Sequence, residues 1–217
     1  MAIGTGSPAA GLGNPVFTIW IAPRATIRRI VDTDPTRHVL MLAALGPALN
    51  ALVTQWSKGA GNNANLSALW PVWVVVNVTV RAMLGVLLLY FNGAILRWAG
   101  SLLSGTATSV EVRAALAWSQ IPDIAIELFL LAALFMGMSM PQMTPGHLPP
   151  LDSTIITVMA VGVPLSIWSF VIYLKCVAEV HRFSAWRALG ATFIPVLILV
   201  GGIAICFALF WALAGHR

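Results

Sequence analysis

Residues 118–127 read WSQIPDIAIE and place a glutamine, a proline and two carboxylates inside a segment that is otherwise apolar enough to cross a membrane. A bilayer core holds no water that could solvate the side chains of Asp123 and Glu127. Each carboxylate therefore needs a partner, a polar cavity or a bound proton. The rest of the chain is expected to supply that environment, which makes this segment the one around which the fold is organised.

The composition of the chain is that of a membrane protein. Of the 217 residues, 59% are hydrophobic and only 9% carry a charge, and the mean hydropathy is +0.89. Soluble domains carry about 25% charged residues. Five apolar stretches each reach the length of about 20 residues that a transmembrane helix needs. They cover residues 38–56, 70–96, 114–138, 154–181 and 186–213. The sequence therefore predicts an all-α fold, a polytopic bundle of five transmembrane helices within residues 37–217.

Two patterns inside these spans concern how the helices bend and pack. A proline removes one backbone hydrogen bond of a helix and can kink it, which opens space for polar side chains. Four spans contain one: Pro47, Pro122, Pro164 and Pro195. In the last span, Ala204, Ala208 and Ala212 recur at a spacing of four residues. Such a stripe of small residues allows membrane helices to approach closely, so it predicts an internal helix contact.

The chain before the first span is expected to have two parts. Residues 1–13 are rich in Gly, Ala, Ser and Pro without periodicity, which predicts a flexible tail. Residues 14–36 are predicted to be a cytoplasmic segment at the membrane interface. It contains a helix that begins at Pro23 and places Ile27 and Ile30 on one face. The other face carries three arginines, Arg24, Arg28 and Arg29.

This amphipathic pattern predicts a helix that lies on the membrane surface. Its arginines would contact anionic lipid head groups, while its isoleucines would enter the acyl boundary. The alternative is a short helix that is surrounded by water and binds no lipid.

Three stretches of the sequence carry a family resemblance. Residues 14–35 read NPVFTIWIAPRATIRRIVDTDP, residues 118–122 read WSQIP, and residues 177–189 read VAEVHRFSAWRAL. Together they resemble bacterial Yip1-domain proteins. The matching signature positions are Trp20, Pro23, Arg24, Thr26, Ile27 and Arg28 in the first stretch and Trp118, Ser119, Gln120 and Pro122 in the second.

The resemblance covers residues 14–213 and carries its own expectations. It implies an integral membrane protein with a cytoplasmic N-terminal segment and five membrane helices, the third of which holds the W-S-Q-x-P signature. It also implies a role in membrane organisation. The D-L-Y-G-P motif of the eukaryotic relatives is absent from this sequence, so their binding to Rab-type GTPases is not implied.

The distribution of basic residues predicts the orientation of the chain. Arginines cluster on one side of the predicted membrane: Arg24, Arg28, Arg29, Arg37, Arg97, Arg113, Arg182 and Arg187. The other side carries only Lys58 and Arg217, and the loop 139–152 contains no Lys or Arg. The positive-inside rule then places the N-terminus in the cytoplasm and the C-terminus outside, in the inner membrane of a bacterium.

Charged side chains at similar depths in neighbouring spans predict an intramembrane polar cluster. Arg81 and Glu127 lie about 11 and 12 residues from the outer ends of their spans, or about 16 and 18 Å at 1.5 Å per residue. Asp123, one helical turn further inward, matches the depth of Lys175. Direct pairs between Arg81 and Glu127 and between Asp123 and Lys175 are therefore expected.

Further polar residues belong to the same predicted cluster, namely Asn77, Gln120 and Glu179. Glu179 has four candidate partners, Lys175, Arg97, Arg113 and Arg182. The cluster is open to two interpretations, a functional polar cavity or proton relay and a structural clasp in which equal numbers of opposite charges satisfy one another.

The sequence lacks the motifs of enzymes and of nucleic-acid-binding proteins. No H-E-x-x-H, G-x-S-x-G, P-loop or G-x-G-x-x-G pattern is present, so no catalytic, metal or cofactor site and no cofactor are predicted. The net charge of +5 comes from basic residues spread singly at the ends of apolar runs, which argues against a nucleic-acid partner.

Two functions remain as hypotheses. The first is an adaptor that organises the membrane by binding lipids, other membrane proteins or a second copy of the chain. The second is a small transporter or channel that uses the intramembrane polar cluster.

Overall fold

A computed structural model describes residues 13–61, 70–137 and 153–214, and these residues form helices joined by short turns. The predicted tail 1–13 and the loop 139–152 lie almost wholly or wholly outside the described residues. The helices are α1 (Pro15–Ile21), α2 (Pro23–Thr33), α3 (Val39–Gly61), α4 (Trp70–Leu102), α5 (Ser109–Trp118), α6 (Ile121–Phe135), α7 (Ser153–Val180) and α8 (Ala185–Ala214). The described part contains no strand, as the all-α prediction requires.

Five segments of the structure are long and apolar enough to cross a membrane, which confirms the predicted five-span bundle. They are α3, α4, the pair α5–α6, α7 and α8. The bounds of α7 and α8 agree with the predicted spans to within one residue at each end. Helix α4 continues to Leu102, six residues beyond the predicted end of its span at residue 96.

The third span, in which the sequence predicted a kink at Pro122, is divided into two helices. Helix α5 ends at Trp118 and α6 begins at Ile121, with a turn at Ser119 and Gln120 between them. Pro122 is the cause, because its ring would clash with the carbonyl group of Trp118 and its nitrogen has no hydrogen to donate. Pro47, Pro164 and Pro195 lie inside α3, α7 and α8 without ending them.

Helix α2 packs against α5 and α7, and this contact corrects the predicted role of its apolar face. Ile27 is completely buried and Ile30 is 5% exposed, and both belong to the core of the bundle. Burying such a side chain contributes about 1.5–3 kcal/mol. The isoleucines therefore face protein rather than acyl chains. Helix α1 instead exposes apolar side chains at i and i+4, Phe17 at 71% and Ile21 at 87%.

Helices α3 and α4 approach each other closely at a glycine. A Cβ atom on Gly85 would overlap the carbonyl oxygen of Ala43 and would lie 2.7 Å from Cγ of Pro47. Only a residue without a side chain fits this contact between two backbones. The contact predicted for the alanine stripe of α8 is wrong, because Ala204 and Ala208 are exposed. The side chain of Ala212 lies outside the described residues.

The α4–α5 turn and the α7–α8 turn pack on one another through a histidine. His181 follows α7 directly, is 1% exposed and stacks on Phe183 with 5.0 Å between the ring centroids. Its ring fills the space above Gly100 and Gly105, where Cβ atoms would collide with the imidazole. The α4–α5 and α7–α8 connections are thereby held together. At the other end of the bundle, Trp56 packs against Phe135 with their ring centroids 4.8 Å apart.

Candidate functional site: a polar cavity at the break in the third span

An open cavity of about 640 Å³ lies beside the break between α5 and α6, and residues of α3, α4, α7 and α8 complete its wall. The wall contains a carboxylate, Asp123, and two amides, Asn92 and Gln120. Five hydroxyl groups also line it, those of Ser119, Ser166, Ser169, Tyr173 and Thr192. Apolar residues, among them Pro47, Leu89 and Phe170, form the rest of the wall, so the cavity combines polar groups at membrane depth with apolar surface.

The signature residues of the W-S-Q-I-P stretch build this break. The indole nitrogen of Trp118 donates to the carbonyl oxygen of Arg37 at 3.2 Å, which fastens the end of α5 to the start of α3. Ser119 is buried, and its hydroxyl group donates to the carbonyl oxygen of Leu116 at 2.9 Å. Pro122 is fully buried in the first turn of α6. Several separate contacts therefore fix the position of the break.

Gln120 turns from the break toward α3, where a glycine makes room for it. A Cβ atom on Gly46 would lie only 2.9 Å from Oε1 of Gln120. The amide is half-buried and forms part of the cavity wall. The sequence placed Gln120 in the polar cluster, and the structure puts it in the cavity together with Asp123.

The carboxylate of Asp123 is the charged group of the cavity. Its Oδ1 accepts a hydrogen bond of 2.6 Å from the hydroxyl group of Ser169 on α7, and its side chain is exposed to the cavity. The predicted pair with Lys175 is wrong. The ammonium group of Lys175 lies 5.4 Å from the ring centroid of Trp168 on its own helix, which is the distance of a cation–π contact.

The predicted direct pair of Arg81 with Glu127 is also wrong, because Asn50 of α3 lies between them. Nδ2 of Asn50 donates to Oε1 of Glu127 at 2.8 Å, and Nη1 of Arg81 donates to Oδ1 of Asn50 at 3.4 Å. We call these three side chains the amide bridge. None of them lines the cavity. Sequence reasoning missed Asn50, although an amide inside the first apolar span was a signal that could have pointed to it.

Two other predicted members of the cluster lie apart from both groups. Asn77 is half-buried on α4 and does not line the cavity. Glu179 pairs with Arg28 of α2 rather than with any of its four candidate partners. Its Oε1 accepts hydrogen bonds from Nε of Arg28 at 2.9 Å and from Nη2 at 2.6 Å.

This ion pair corrects the placement of Arg28 among the lipid-facing arginines, because its guanidinium group is directed at α7. Arg24 is exposed as predicted for a surface side chain, and Arg29 donates to the carbonyl oxygen of Gly13 at 2.9 Å. Of the remaining signature residues, Trp20 packs on the core and Pro23 is buried.

A second, mostly apolar groove of about 650 Å³ runs between α4 and α8 and meets the polar cavity. The two spaces share part of their walls, namely Asn92, Leu116, Tyr173 and Thr192. The hydroxyl groups of Tyr173 and Thr192 are 3.2 Å apart and join α7 to α8 at this boundary. The cavity with the polar groups and the mostly apolar groove are therefore continuous.

Among the described residues, no group of three His, Cys, Asp or Glu side chains comes close enough together to hold a metal ion. Among the described residues, the wall of the cavity contains one carboxylate and neither a histidine nor a cysteine. The polar groups that the structure describes there can form hydrogen bonds and attract a cation.

Comparison with known protein families gives one finding. The family model described as Yip1 domain matches residues 17–207. The match includes the signature positions from Trp20 to Arg28 and from Trp118 to Pro122, and all of the described residues that line the cavity and the groove. No curated protein and no solved structure matches the chain.

Proposed function

The chain belongs to the Yip1-domain family, and from that premise we propose that it is a membrane-organising or adaptor protein that binds a lipid in the polar cavity and the adjoining groove. The observation that carries the proposal is the continuity of the two spaces. A lipid has a polar head and an apolar chain, and the joined spaces offer a wall with several polar groups followed by a wall that is mostly apolar. The proposal assigns the chain no enzymatic reaction.

The exposed side chain of Asp123 supports the proposal that a ligand occupies the cavity. A carboxylate at membrane depth is costly unless polar groups surround it, and acyl chains offer none. Ser169 satisfies one of its oxygens with a hydrogen bond of 2.6 Å. A lipid head group in the cavity would supply further partners, while the acyl chain would cover the apolar wall between α4 and α8.

The α1–α2 segment supports an adaptor role at the membrane surface. Because α2 is buried against α5 and α7, the segment is fixed on the bundle. Phe17, Ile21 and Arg24 of this segment are exposed. Apolar side chains next to a cation suit an interface with head groups or with another membrane protein. We place this segment in the cytoplasm of a bacterial cell, with the chain in the inner membrane and its C-terminus outside, as the arginine distribution predicts.

Lipid retention tests this function. The protein purified in mild detergent should carry bound phospholipid that native mass spectrometry detects. Leu199 is 63% exposed and lines the groove, so Leu199→Trp should fill the groove and lower the bound lipid severalfold. Leu197→Trp is the matched control, because Leu197 is 66% exposed on the same helix and lies outside the groove. Absence of bound lipid from the unchanged protein, or equal loss in both variants, would refute the function.

A small transporter or channel remains the second candidate, and the polar cavity is the observation that favours it. Asp123 would be its ion or proton site, whereas the amide bridge lies outside the cavity. Proton or cation flux into proteoliposomes that Asp123→Asn abolishes would support transport. Proteoliposomes that contain the unchanged protein and remain impermeable to protons and cations would exclude transport.

A further inference from the structure

The charges of the cavity wall limit the lipids that it can hold. Asp123 contributes a carboxylate, and no Lys, Arg or His is among the described residues that line the cavity. The nearest cation on α7, Lys175, is held over the ring of Trp168. In a medium of low dielectric constant, one uncompensated carboxylate attracts a cation and repels an anion much more strongly than it does in water. The wall therefore favours a ligand that brings its own positive charge.

The neutral groups of the wall complement this charge. The amides of Asn92 and Gln120 each offer two N–H donors and one acceptor, so they can bind the phosphate oxygens of a lipid without a cationic side chain. The hydroxyl group of Thr192 offers no further donor, because it already donates to the carbonyl oxygen of Ala188 at 2.9 Å. Donors for a phosphate and an acceptor for an amine are thus present on one wall.

We propose that the cavity selects a zwitterionic lipid whose head group carries a protonated amine, with the carboxylate of Asp123 as the counter-ion of that amine. The phosphate contacts the amides, and one acyl chain occupies the groove between α4 and α8. This inference rests on the proposed lipid-binding function and adds the head-group class. It differs from the anionic head groups predicted for the arginines of the N-terminal segment, because those side chains lie outside this cavity.

The test compares two lipids with identical acyl chains, phosphatidylethanolamine and phosphatidylglycerol, in mixed detergent micelles. Native mass spectrometry of the full-length protein measures the ratio in which they are bound. We expect the unchanged protein to prefer the ethanolamine lipid about tenfold, which corresponds to about 1.4 kcal/mol. Asp123→Asn preserves the shape of the side chain and removes its charge, so it should reduce the ratio to near one while lipid remains bound.

Two controls make the result specific. Glu127→Gln removes the neighbouring carboxylate of α6, which lies outside the cavity, and should leave the tenfold ratio unchanged. Free ethanolamine should compete only weakly, because it lacks the chain that fills the groove. Competition as strong as that of the lipid would show that the cavity binds a small amine and would overturn the proposal.

Failure of the inference and failure of the proposed function give different results. Lipid bound by the unchanged protein in a ratio near one, or a preference that survives Asp123→Asn, would overturn the head-group assignment alone. No retained lipid of either kind would refute the lipid-binding function itself.

Discussion

The guanidinium group of Arg28 and the carboxylate of Glu179 form an ion pair that joins α2 to the last turn of α7, across 151 residues of sequence. Oε1 of Glu179 accepts two hydrogen bonds, and Nη2 of Arg28 also reaches the backbone carbonyl oxygen of Glu179 at 3.3 Å. Helix α2 also buries Ile27 and Ile30 in the bundle. The N-terminal segment is thereby part of the folded domain.

Replacing Arg28 by alanine should lower the free energy of unfolding by about 1 kcal/mol, because the two side chains are 36% and 22% exposed and solvent screens part of their attraction. Arg24→Ala, an exposed arginine of the same helix, should change it little. Thermal unfolding in detergent measures both. Equal effects of the two variants would show that the ion pair does not stabilise the attachment of α2.

The close contact at Gly85 predicts a strong steric effect. Gly85→Ala should lower the free energy of unfolding by about 1–3 kcal/mol, since the added methyl group would overlap the carbonyl oxygen of Ala43 and press on the ring of Pro47. Gly162→Ala is the control, because a Cβ atom there meets nothing within 4 Å, and alanine should favour the helix. A tolerated Gly85→Ala would contradict the close α3–α4 contact.

The amide bridge predicts that Asn50 contributes more to stability than it would if Arg81 and Glu127 were paired directly. Asn50→Leu removes the partner of Arg81 and of Glu127 together and should lower stability by about 1–2 kcal/mol. Glu127→Gln keeps an oxygen that accepts from Asn50 and should be nearly neutral. Melting temperatures in detergent compare the two variants. A larger loss for Glu127→Gln than for Asn50→Leu would favour a direct ion pair instead.

His181 predicts a dependence of stability on pH. Burial lowers the pKa of His181 below its ordinary value of 6.5, against a smaller opposing effect of Glu111. Near and below pH 6.5 the unfolded chain therefore binds more protons at this residue than the folded protein does. The contribution of neutral His181 to the free energy of unfolding should be fully present above pH 6.5 and should decrease as the pH falls below 6.5.

Melting temperatures measured between pH 7.5 and pH 5.5 test this sign for His181. We expect a decrease on acidification that is smaller in His181→Gln, which cannot take up a proton. Neither ring nitrogen has a hydrogen-bond partner among the residues that the structure describes, so the protonated ring would carry a buried charge without a hydrogen-bond partner. An equal decrease in the variant would assign the effect to other groups.

The partners of the charged residues show where prediction from the sequence ended. Depth along a helix can be counted at about 1.5 Å per residue, so the sequence placed Arg81 and Glu127 at similar levels. Depth in the membrane gives only one of the three coordinates that define the position of a side chain. The rotation of each helix and the choice of its neighbours depend on packing across the whole bundle. Asn50 of α3 therefore stands between two residues that depth alone had paired.

The sequence by itself determined the five apolar spans, the signature stretches and the place where Pro122 interrupts a helix, because hydropathy and the missing proline N–H are properties of short segments. Tertiary structure decided that α2 faces protein, that Glu179 pairs with Arg28, and that the break exposes Asp123 to a cavity joined to an apolar groove. These features arise where distant segments meet, and the energy of burial and pairing depends on that meeting. The pattern of residues along one helix does not specify which distant segment will pack against it.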